Sequence, residues 1–360
     1  MENLLKLNEN QIVIFGIGTN ARILKKIYMQ KGIDIIAYLV GDDQKISITE
    51  YEGVPVYRLS DCNEEIKKYP VISSVRECAL LKVKNELEQC GFRKVYSVDS
   101  YKEWVNVLDF FYRSYFIDKN IDIDGATLEI SGSRFINGFQ LDTEGKYSFL
   151  AELGDIILPK YFNDFTICNE GPYELEEEGF CVEKGDIVFD CGANMGLFSA
   201  LAINGGGDVY SFEPTPHTRA YLLKYDQIYP NNIHIFPHAL SDKEGETEFY
   251  VGSNLNGENS IGNLSGTCKE RIIVPMKTID NFVKEKEIVK VDFIKADIEG
   301  AERNMLLGAK EILKKFAPKL SICTYHLHDD PEVLENIILQ ANSDYKVIHK
   351  YKKIYAQVEK

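Results

Sequence analysis

The chain has 360 residues, which is enough for two domains of ordinary size. Its 41 Lys and Arg residues against 56 Asp and Glu residues leave a net charge of −15. This charge argues against a protein that binds nucleic acid or an anionic membrane, because such binding requires a basic surface. The 8 cysteines lack zinc-site spacing, and no apolar run reaches the roughly 20 residues of a membrane span. Because the start of the chain shows no signal-peptide pattern either, we expect a cytoplasmic protein.

Short apolar runs alternate with helical stretches over residues 1–100. The first run, at 11–15, leads into the turn Gly16-Ile-Gly-Thr-Asn-Ala21, and an apolar stripe at helical spacing follows the turn. A second strand is predicted at 33–40, and a helix at 75–89. This alternation predicts a parallel sheet with crossover helices, so we predict a Rossmann-like domain over residues 1–100.

The first glycine turn matches the pattern G-x-G-x-x-A between a strand and a helix. An acid follows the next strand, so Gly16, Gly18 and Asp42 form a predicted nucleotide site. The motif alone is weak. A sugar nucleotide, a dinucleotide and a structural domain without a ligand therefore all remain open for this region.

Residues 101–165 separate this region from a second strand–helix series. A helix rich in Tyr and Phe is predicted at 101–118, and a β-ribbon at 126–130 and 135–141. We interpret 101–165 as a small connecting or substrate-facing subdomain.

The second series begins with a strand at 186–190 and continues to the end of the chain. Further strands are predicted at 208–212, 233–236, 291–296 and 319–325, and a closing antiparallel hairpin at 345–349 and 354–358. The series predicts a second α/β domain over residues 166–360.

A second glycine turn, Asp190-Cys-Gly192-Ala-Asn194-Met-Gly196, follows the first strand of this series. An acid at the end of that strand would repel a phosphate but suits the ammonium group of a methionine moiety. Glu213 follows the next strand, 17 residues after Gly196, where a carboxylate can bind both hydroxyls of a ribose.

These motifs resemble the FkbM family of S-adenosylmethionine-dependent methyltransferases. The matching pieces are Gly185 to Gly196, Phe212-Glu-Pro214, Ile294-Lys-Ala-Asp297-Ile-Glu299-Gly300-Ala-Glu302 and Pro318 to His326, and the resemblance covers residues 165–358. It implies a class I methyltransferase fold with a seven-stranded sheet and S-adenosylmethionine as cofactor. Family members commonly methylate hydroxyls of sugars or other small polar acceptors.

The resemblance also implies cofactor-binding residues. Asp190, Gly192, Asn194 and Gly196 would line the methionine and ribose parts, and Glu213 would hold the ribose diol.

Two further segments have both a binding and a structural interpretation. By analogy with the family, Ser241 and Asp242 would flank the adenine, although a plain polar turn explains them equally well. Glu170 and Tyr173 could close over the cofactor, or could belong to an ordinary Gly-Pro turn.

The catalytic residues are expected at the ends of the fourth and fifth strands of the second series. A hydroxyl acceptor has to lose a proton, and His326 is the best single candidate for the base, with Asp297 and Glu299 as rivals. Glu302 is expected near the start of a helix, where an acid is favoured by the helix dipole. Asp297, Glu299 and His326, together with His328 and Asp329, are a set able to bind a divalent ion, but nothing in the spacing demands one and we predict no metal.

The sequence thus predicts a methyltransferase that acts on a hydroxyl of a sugar, a glycan or a related small polar acceptor. The alternatives are an N-methyltransferase acting on an amine of a glycan substituent, and a nicotinamide- or sugar-nucleotide-dependent enzyme centred on the N-terminal domain. A non-catalytic module is a third possibility. The oligomeric state is not predicted.

Overall fold

The computed structural model describes residues 7–44, 48–75, 77–123, 125–162, 170–252, 259–261 and 268–359. The predicted domain boundary at residues 165 and 166 lies outside these ranges. The chain divides into two compact units, Met1–Asn120 and Ile121–Lys360. None of the described helices is long and apolar enough to cross a membrane.

The first unit is an α/β sheet with helices between its strands. Its strands are β1 (Gln11–Phe15), β2 (Asp34–Val40), β3 (Glu50–Tyr51), β4 (Val54–Arg58), β5 (Val71–Ser73) and β6 (Val95–Ser97). Its α-helices are α1 (Thr19–Gln30), α2 (Glu77–Gln89) and α3 (Tyr101–Asp118). The strand order is β3-β4-β2-β1-β5-β6, and all neighbours are parallel except β3 and β4. The parallel sheet predicted from the alternation is therefore present.

The apolar stripe after the first glycine turn faces the interior. Its members, all buried on α1, are Ala21, Ile23, Leu24, Ile27 and Tyr28. Helix α3 begins where Ser100 accepts a hydrogen bond from the backbone N–H of Glu103, the usual N-cap arrangement. By its contacts α3 lies in the first unit, whereas the β-ribbon lies in the second. The limits of a connecting subdomain stay a prediction.

The second unit contains the longer strand–helix series. Its strands are β7 (Thr127–Ile130), β8 (Ser133–Ile136), β9 (Ile187–Cys191), β10 (Asp208–Phe212), β11 (Ile233–Phe236), β12 (Ala239–Leu240), β13 (Gly245–Gly252), β14 (Cys268–Lys277), β15 (Phe293–Ala296), β16 (Lys319–Cys323), β17 (Tyr345–Lys350) and β18 (Lys353–Val358). Its α-helices are α4 (Thr143–Glu152), α5 (Leu158–Tyr161), α6 (Leu197–Asn204), α7 (Pro216–Leu222), α8 (Lys224–Ile228), α9 (Ile279–Glu285), α10 (Glu302–Leu307), α11 (Lys310–Lys315) and α12 (Asp330–Ala341).

Seven strands form the central sheet of this unit, in the order β11-β10-β9-β15-β16-β18-β17. The five strands from β11 to β16 are parallel, and β18 runs antiparallel to both of its neighbours. The seven-stranded class I sheet and the closing hairpin are confirmed. The carboxyl ends of β9, β10 and β15 meet at one edge of the sheet, and this edge is where ligands bind in folds of this type.

Aromatic rings form much of the core beneath that edge. Phe189, Phe212 and Phe236 come from three neighbouring strands, and each lies 4.8–5.9 Å, between ring centroids, from Phe282 on α9. Such contacts fix the relative positions of the strands whose ends carry the polar residues.

A three-stranded sheet in the order β12-β14-β13 was absent from the sequence-based prediction. Most residues of β13 are at least partly exposed, and Phe249 is one of the few that it buries. A strand with so few buried residues has little hydrophobic periodicity to reveal it.

Candidate cofactor and active site

A cavity opens at the carboxyl ends of the parallel strands in the second unit. Its wall contains Gly192 and Asn194 after β9, Glu213 after β10, and Asp297 and Glu299 after β15. With Tyr173, which also lines the cavity, six of the predicted site residues are therefore brought together in one place. The other predicted site residues lie at different places in the structure.

The second glycine turn is shaped by close backbone approaches. The N–H groups of Gly192 and Ala193 donate to the carbonyl oxygen of Phe212, at 3.1 and 3.0 Å. Gly192 has φ of 78°, and a Cβ at this position would lie only 2.0 Å from the carbonyl oxygen of Asp297. Only glycine fits such a contact, so this residue lets the ends of β9 and β15 approach each other.

Gly196 allows close packing against α7 and does not form part of the cavity wall. It has φ of 93° at the start of α6, and an added Cβ would meet Leu222 at 2.4 Å. Gly196 is not among the described residues that line the cavity.

Asp190 is fully buried beneath the turn and does not line the cavity either. Its carboxylate accepts from Lys295 Nζ at 3.0 Å and from Ser199 Oγ at 2.6 Å. Lys295 also donates to the carbonyl oxygen of Gly192, at 2.7 Å. Burial opposes the charge on Lys295, but the carboxylates of Asp190 and Asp297 outweigh it and raise the lysine pKa. The buried pair thus fixes the glycine turn to β15.

Glu213 presents a carboxylate to the cavity. Its Oε2 accepts from the N–H of Asn194 at 3.0 Å, and its Oε1 accepts from the N–H of Thr215 at 2.8 Å. Burial outweighs these hydrogen bonds and raises the pKa of Glu213 to about 7. Each oxygen retains a second lone pair, so the carboxylate can still accept from two hydroxyls of a ligand.

The far wall of the cavity is formed by residues that follow β11. His238, Leu240, Phe249 and Ile261 line it. The Nδ1 atom of His238 is buried and has no hydrogen-bond partner among the described residues. Burial lowers the pKa of this imidazole, which favours the neutral ring.

Ser241 and Asp242 are not part of that wall. The N–H of Ser241 donates to the carbonyl oxygen of Lys277, and its Oγ donates to Asp242 at 3.1 Å. Asp242 is exposed. In this structure the two residues form a polar turn beside the three-stranded sheet.

Of the two residues predicted to close over the cofactor, Tyr173 lines the cavity and Glu170 does not. The hydroxyl of Tyr173 donates to Asp297 at 2.5 Å. The side chain of Glu170 lies 3.4 Å from Lys352 Nζ, and its carbonyl oxygen accepts from Lys353. Tyr173 thus holds one catalytic candidate in place.

Asp297, Glu299 and His326 form a cluster at the ends of β15 and β16. His326 Nε2 lies 3.5 Å from Asp297 Oδ1 and 3.5 Å from Glu299 Oε2, and its Nδ1 lies 3.1 Å from Glu302 Oε1. The side chain of His326 is only 5% exposed, and neither nitrogen forms a hydrogen bond of normal geometry with a described residue. The three predicted catalytic residues are therefore adjacent.

The electrostatics of this cluster separate the roles of its members. Burial would lower the pKa of His326, but the surrounding carboxylates reverse this effect and raise it to about 11. Burial raises the pKa of Glu299 to about 7, although His326 opposes the shift. Burial would also raise the pKa of Asp297, but Lys295 and His326 outweigh it and the pKa is lowered. Near neutral pH His326 is a cation, Asp297 is ionised and Glu299 is poised to exchange a proton.

Glu302 begins α10, as expected. Its two carboxylate oxygens accept from the N–H groups of Ile298 and Gly300, at 2.8 and 3.0 Å. This carboxylate therefore fixes the backbone turn that carries Glu299, whose φ is 52°.

Asp297, Glu302 and His326 offer possible metal-ligand atoms within 4.8 Å of one another. Asp329, a possible ligand on sequence grounds, forms an ion pair with Arg303 at 2.5 Å. The absence of a metal stays a prediction.

In the first unit, the side chains of Ser74 and Asp42 near the glycine turn form hydrogen bonds within the unit. An added Cβ at Gly16, where φ is 104°, would lie 2.3 Å from Ser74 Oγ. Asp42 accepts from the N–H and the Oγ of Ser60, at 3.0 and 2.9 Å. The nucleotide site at Gly16, Gly18 and Asp42 stays a prediction.

Residues 190–347 match the family model of the methyltransferase FkbM domain. The second unit contains an FkbM methyltransferase domain. The family predicted from the motifs is confirmed, and the match supports S-adenosylmethionine as the cofactor.

Proteins of known activity are similar to this FkbM domain. The 2-O-methyltransferase NoeI of Sinorhizobium fredii is 28% identical over 153 residues, covering 37% of this chain and 62% of that protein. The hexuronic acid methyltransferase AglP of Haloferax volcanii is 25% identical over 162 residues, covering 44% of this chain and 64% of that protein. The chain thus spans less than two thirds of the length of either relative. A crystal structure of a methyltransferase FkbM from Methylobacillus flagellatus has a TM-score of 0.43 at 16% identity, and covers 97% of this chain and 90% of that one.

Several cavity residues escaped the sequence analysis. Lys295 lies inside a quoted motif, but its buried partner Asp190 is far away in sequence. Phe249 belongs to the sheet that was not predicted, and Glu152 lies in the region that was interpreted as a connection. Only the alternation of charge with apolar residues on β15 could have hinted at Lys295.

Proposed function

We propose that the second unit transfers the methyl group of S-adenosylmethionine to a hydroxyl of a sugar, a glycan or a related small polar acceptor. The observation that carries this proposal is the single cavity that Glu213 lines together with Asp297 and Glu299. A diol-binding carboxylate and a proton-accepting cluster are the two parts that the reaction requires. The names of NoeI and AglP, a 2-O-methyltransferase and a hexuronic acid methyltransferase, favour an oxygen acceptor on a sugar.

The cavity residues fit the cofactor. We assign the ribose hydroxyls to Glu213 and the adenine to the wall of Phe249 and Leu240. On that wall, Nδ1 of His238 has no hydrogen-bond partner among the described residues, and it is a buried polar atom of the kind that a purine nitrogen or amine satisfies. Bound S-adenosylmethionine supplies an electrophilic methyl group on a sulfonium, and this chemistry belongs to the cofactor.

The protein has to position the acceptor and remove its proton. We assign the base to Glu299, because a pKa of about 7 lets its carboxylate accept a proton near neutral pH. His326, the first choice on sequence grounds, is charged in this arrangement and holds no free lone pair for a proton. Its cation instead orients Asp297 and Glu299, which lie 3.5 Å from Nε2.

Tyr325 extends this arrangement towards solvent. Its hydroxyl donates to Asp297 at 3.2 Å, its ring lies 4.3 Å from the ring of His326, and 36% of the residue is exposed. An exposed ring beside the base offers a flat apolar surface to the C–H face of a sugar, so we place the acceptor here.

A hydroxyl is favoured over an amine by the charge of the cluster. Carboxylates beside the acceptor stabilise an ammonium, and an ammonium has no lone pair with which to attack a methyl group. A neutral hydroxyl needs only the one proton transfer to Glu299.

The proposal is tested by calorimetry with S-adenosylhomocysteine and by transfer of labelled methyl groups to a panel of glycosides. We expect one bound S-adenosylhomocysteine per chain and labelled product that resists mild acid in the manner of an ether. A protein that binds no S-adenosylhomocysteine would refute the proposal. Product found only on amines would replace the oxygen acceptor with nitrogen.

A further inference from the structure

Glu152 is a cavity residue to which neither the motifs nor the matched family region assigns a role. It is the last residue of α4, a helix that begins at the N-cap Asp142. It precedes the family match, which starts at residue 190. It nevertheless lines the same cavity as Asn194 and Glu213.

Only one of the two carboxylate oxygens of Glu152 accepts a hydrogen bond from a described residue. Its Oε2 accepts a long hydrogen bond, 3.4 Å, from the N–H of Leu197 at the start of α6. Its Oε1 is buried and has no hydrogen-bond partner among the described residues. No lysine, arginine or histidine nitrogen among the described residues lies within 4.0 Å of the Glu152 carboxylate, the distance that defines an ion pair. A shielded carboxylate of this kind is costly unless a cation arrives to pair with it.

The other acids of the site already have partners. Asp190 is held by Lys295 and Ser199. Asp297 accepts from Tyr173 and faces His326. Among the described residues, Glu152 Oε1 is the only buried carboxylate oxygen without a hydrogen-bond partner, and it lies in the wall of this cavity.

We propose that Glu152 binds the α-ammonium of the methionine part of S-adenosylmethionine, the role that the sequence gave to Asp190. This inference rests on the proposed function. The ammonium supplies the missing cation, and its three N–H donors satisfy the buried Oε1. Asp190 then acts on the cofactor indirectly, through Lys295 and the glycine turn.

Burial agrees with this assignment. It raises the pKa of Glu152 to about 8, although Lys295 and the amides of Leu197 and Met195 oppose the shift. At neutral pH a carboxyl group with this pKa is mostly protonated without ligand, and it releases its proton to solvent when a cation binds beside it.

The experiment compares two ligands that differ at this group. S-adenosylhomocysteine has the amino-acid end, and 5′-methylthioadenosine has the same adenosine and sulfur without it. In Glu152→Gln, the calorimetric Kd for S-adenosylhomocysteine should rise about 10- to 100-fold, the usual effect of losing one charged hydrogen bond. The Kd for 5′-methylthioadenosine should stay unchanged.

The matched control is Glu144→Gln, since Glu144 is an exposed acid on the same helix. It should alter neither Kd. Decarboxylated S-adenosylhomocysteine keeps the amine but lacks the carboxylate. Its Kd should rise in Glu152→Gln, as the Kd for S-adenosylhomocysteine does.

The outcomes distinguish this inference from the proposed function. Equal weakening of both ligands would mean that Glu152 only supports the turn, and would overturn the inference while leaving the methyltransferase intact. Unchanged affinity for both would overturn it too. Wild-type protein that binds neither ligand would refute the proposed function itself.

Discussion

The two units each place a glycine turn after the first strand of a parallel sheet, but their surroundings differ. At Gly16, the nearest polar side chain, Ser74, donates to the carbonyl oxygen of Phe15 at 2.7 Å. At Gly192, the turn faces a cavity in which a buried oxygen of Glu152 has no hydrogen-bond partner among the described residues. The first glycine of the turn therefore packs closely against a side chain in the first unit, whereas the turn of the second unit borders a cavity.

This difference shows that a glycine turn supplies backbone geometry and little chemistry. In the second unit the chemistry comes from Glu213, Asp297, Glu299 and Glu152, which neighbouring strands and α4 bring to the turn. In the first unit, the corresponding acid Asp42 is held by Ser60. Substitutions in both units test this contrast.

The largest effect is expected at the base. Glu299→Gln should lower kcat by about 10²- to 10⁴-fold, because the amide cannot accept the acceptor proton. In wild type, kcat/KM should fall as pH falls through about 7, where Glu299 becomes protonated. The Kd for S-adenosylhomocysteine should change little. A variant with normal turnover would place the base elsewhere, and His326→Asn would then be the next variant to measure.

The next largest effect is expected on cofactor affinity, which should depend on the acid beside the second glycine turn and not on the acid beside the first. Glu213→Gln should raise the Kd for S-adenosylhomocysteine by about 100-fold or more, because two hydrogen bonds from the ribose are weakened. Asp42→Asn, the matching change in the first unit, should leave this Kd unchanged. Calorimetry measures both, and a large effect of Asp42→Asn would contradict the contrast between the units.

Both glycines should resist substitution, for different reasons. Gly192→Ala should lower the free energy of unfolding by about 1–3 kcal/mol and also weaken S-adenosylhomocysteine binding, because the Cβ meets immobile backbone at 2.0 Å. Gly16→Ala should lower stability similarly, since Ser74 Oγ lies at 2.3 Å, but should leave that binding intact. Denaturant unfolding and calorimetry check the pair. Equal effects on binding would remove the distinction.

The smallest effect concerns pH and stability without ligand. The pKa values of Glu152 and Glu213 are raised in the folded state, to about 8 and about 7. Such groups contribute stability below their unfolded pKa, and the contribution is lost as pH rises through the folded values. Thermal unfolding should therefore show falling Tm from pH 5 to pH 9, and Glu152→Gln should reduce that fall. A steeper fall in the variant would contradict the burial of Glu152.

The sequence predicted the second fold and several of the residues that line its cavity. Strand ends carrying Glu213, Asp297, Glu299 and His326 followed from apolar runs and a family signature, because local patterns determine them. The role of Asp190 was harder to predict from the sequence. Its partner Lys295 is 105 residues away, and their pairing depends on the register of the sheet. An acid within a sequence motif does not reveal whether its carboxylate faces a cavity or a buried lysine.

The role of Glu152 and the three-stranded sheet could not be predicted from the sequence, for related reasons. Helix α4 has a weak apolar stripe, so its sequence does not show which side faces the site. Strand β13 buries few residues, so hydrophobic alternation is too faint to mark it. Both features depend on tertiary packing, which a single sequence does not display.

The most direct test of this account is a crystal structure of the protein with S-adenosylhomocysteine. We predict that the adenosine lies between Glu213 and Phe249, with the amino-acid end at Glu152 and the sulfur facing Asp297 and Glu299. Ligand bound at the Gly16 turn, or in the second unit with its ribose away from Glu213, would contradict the account.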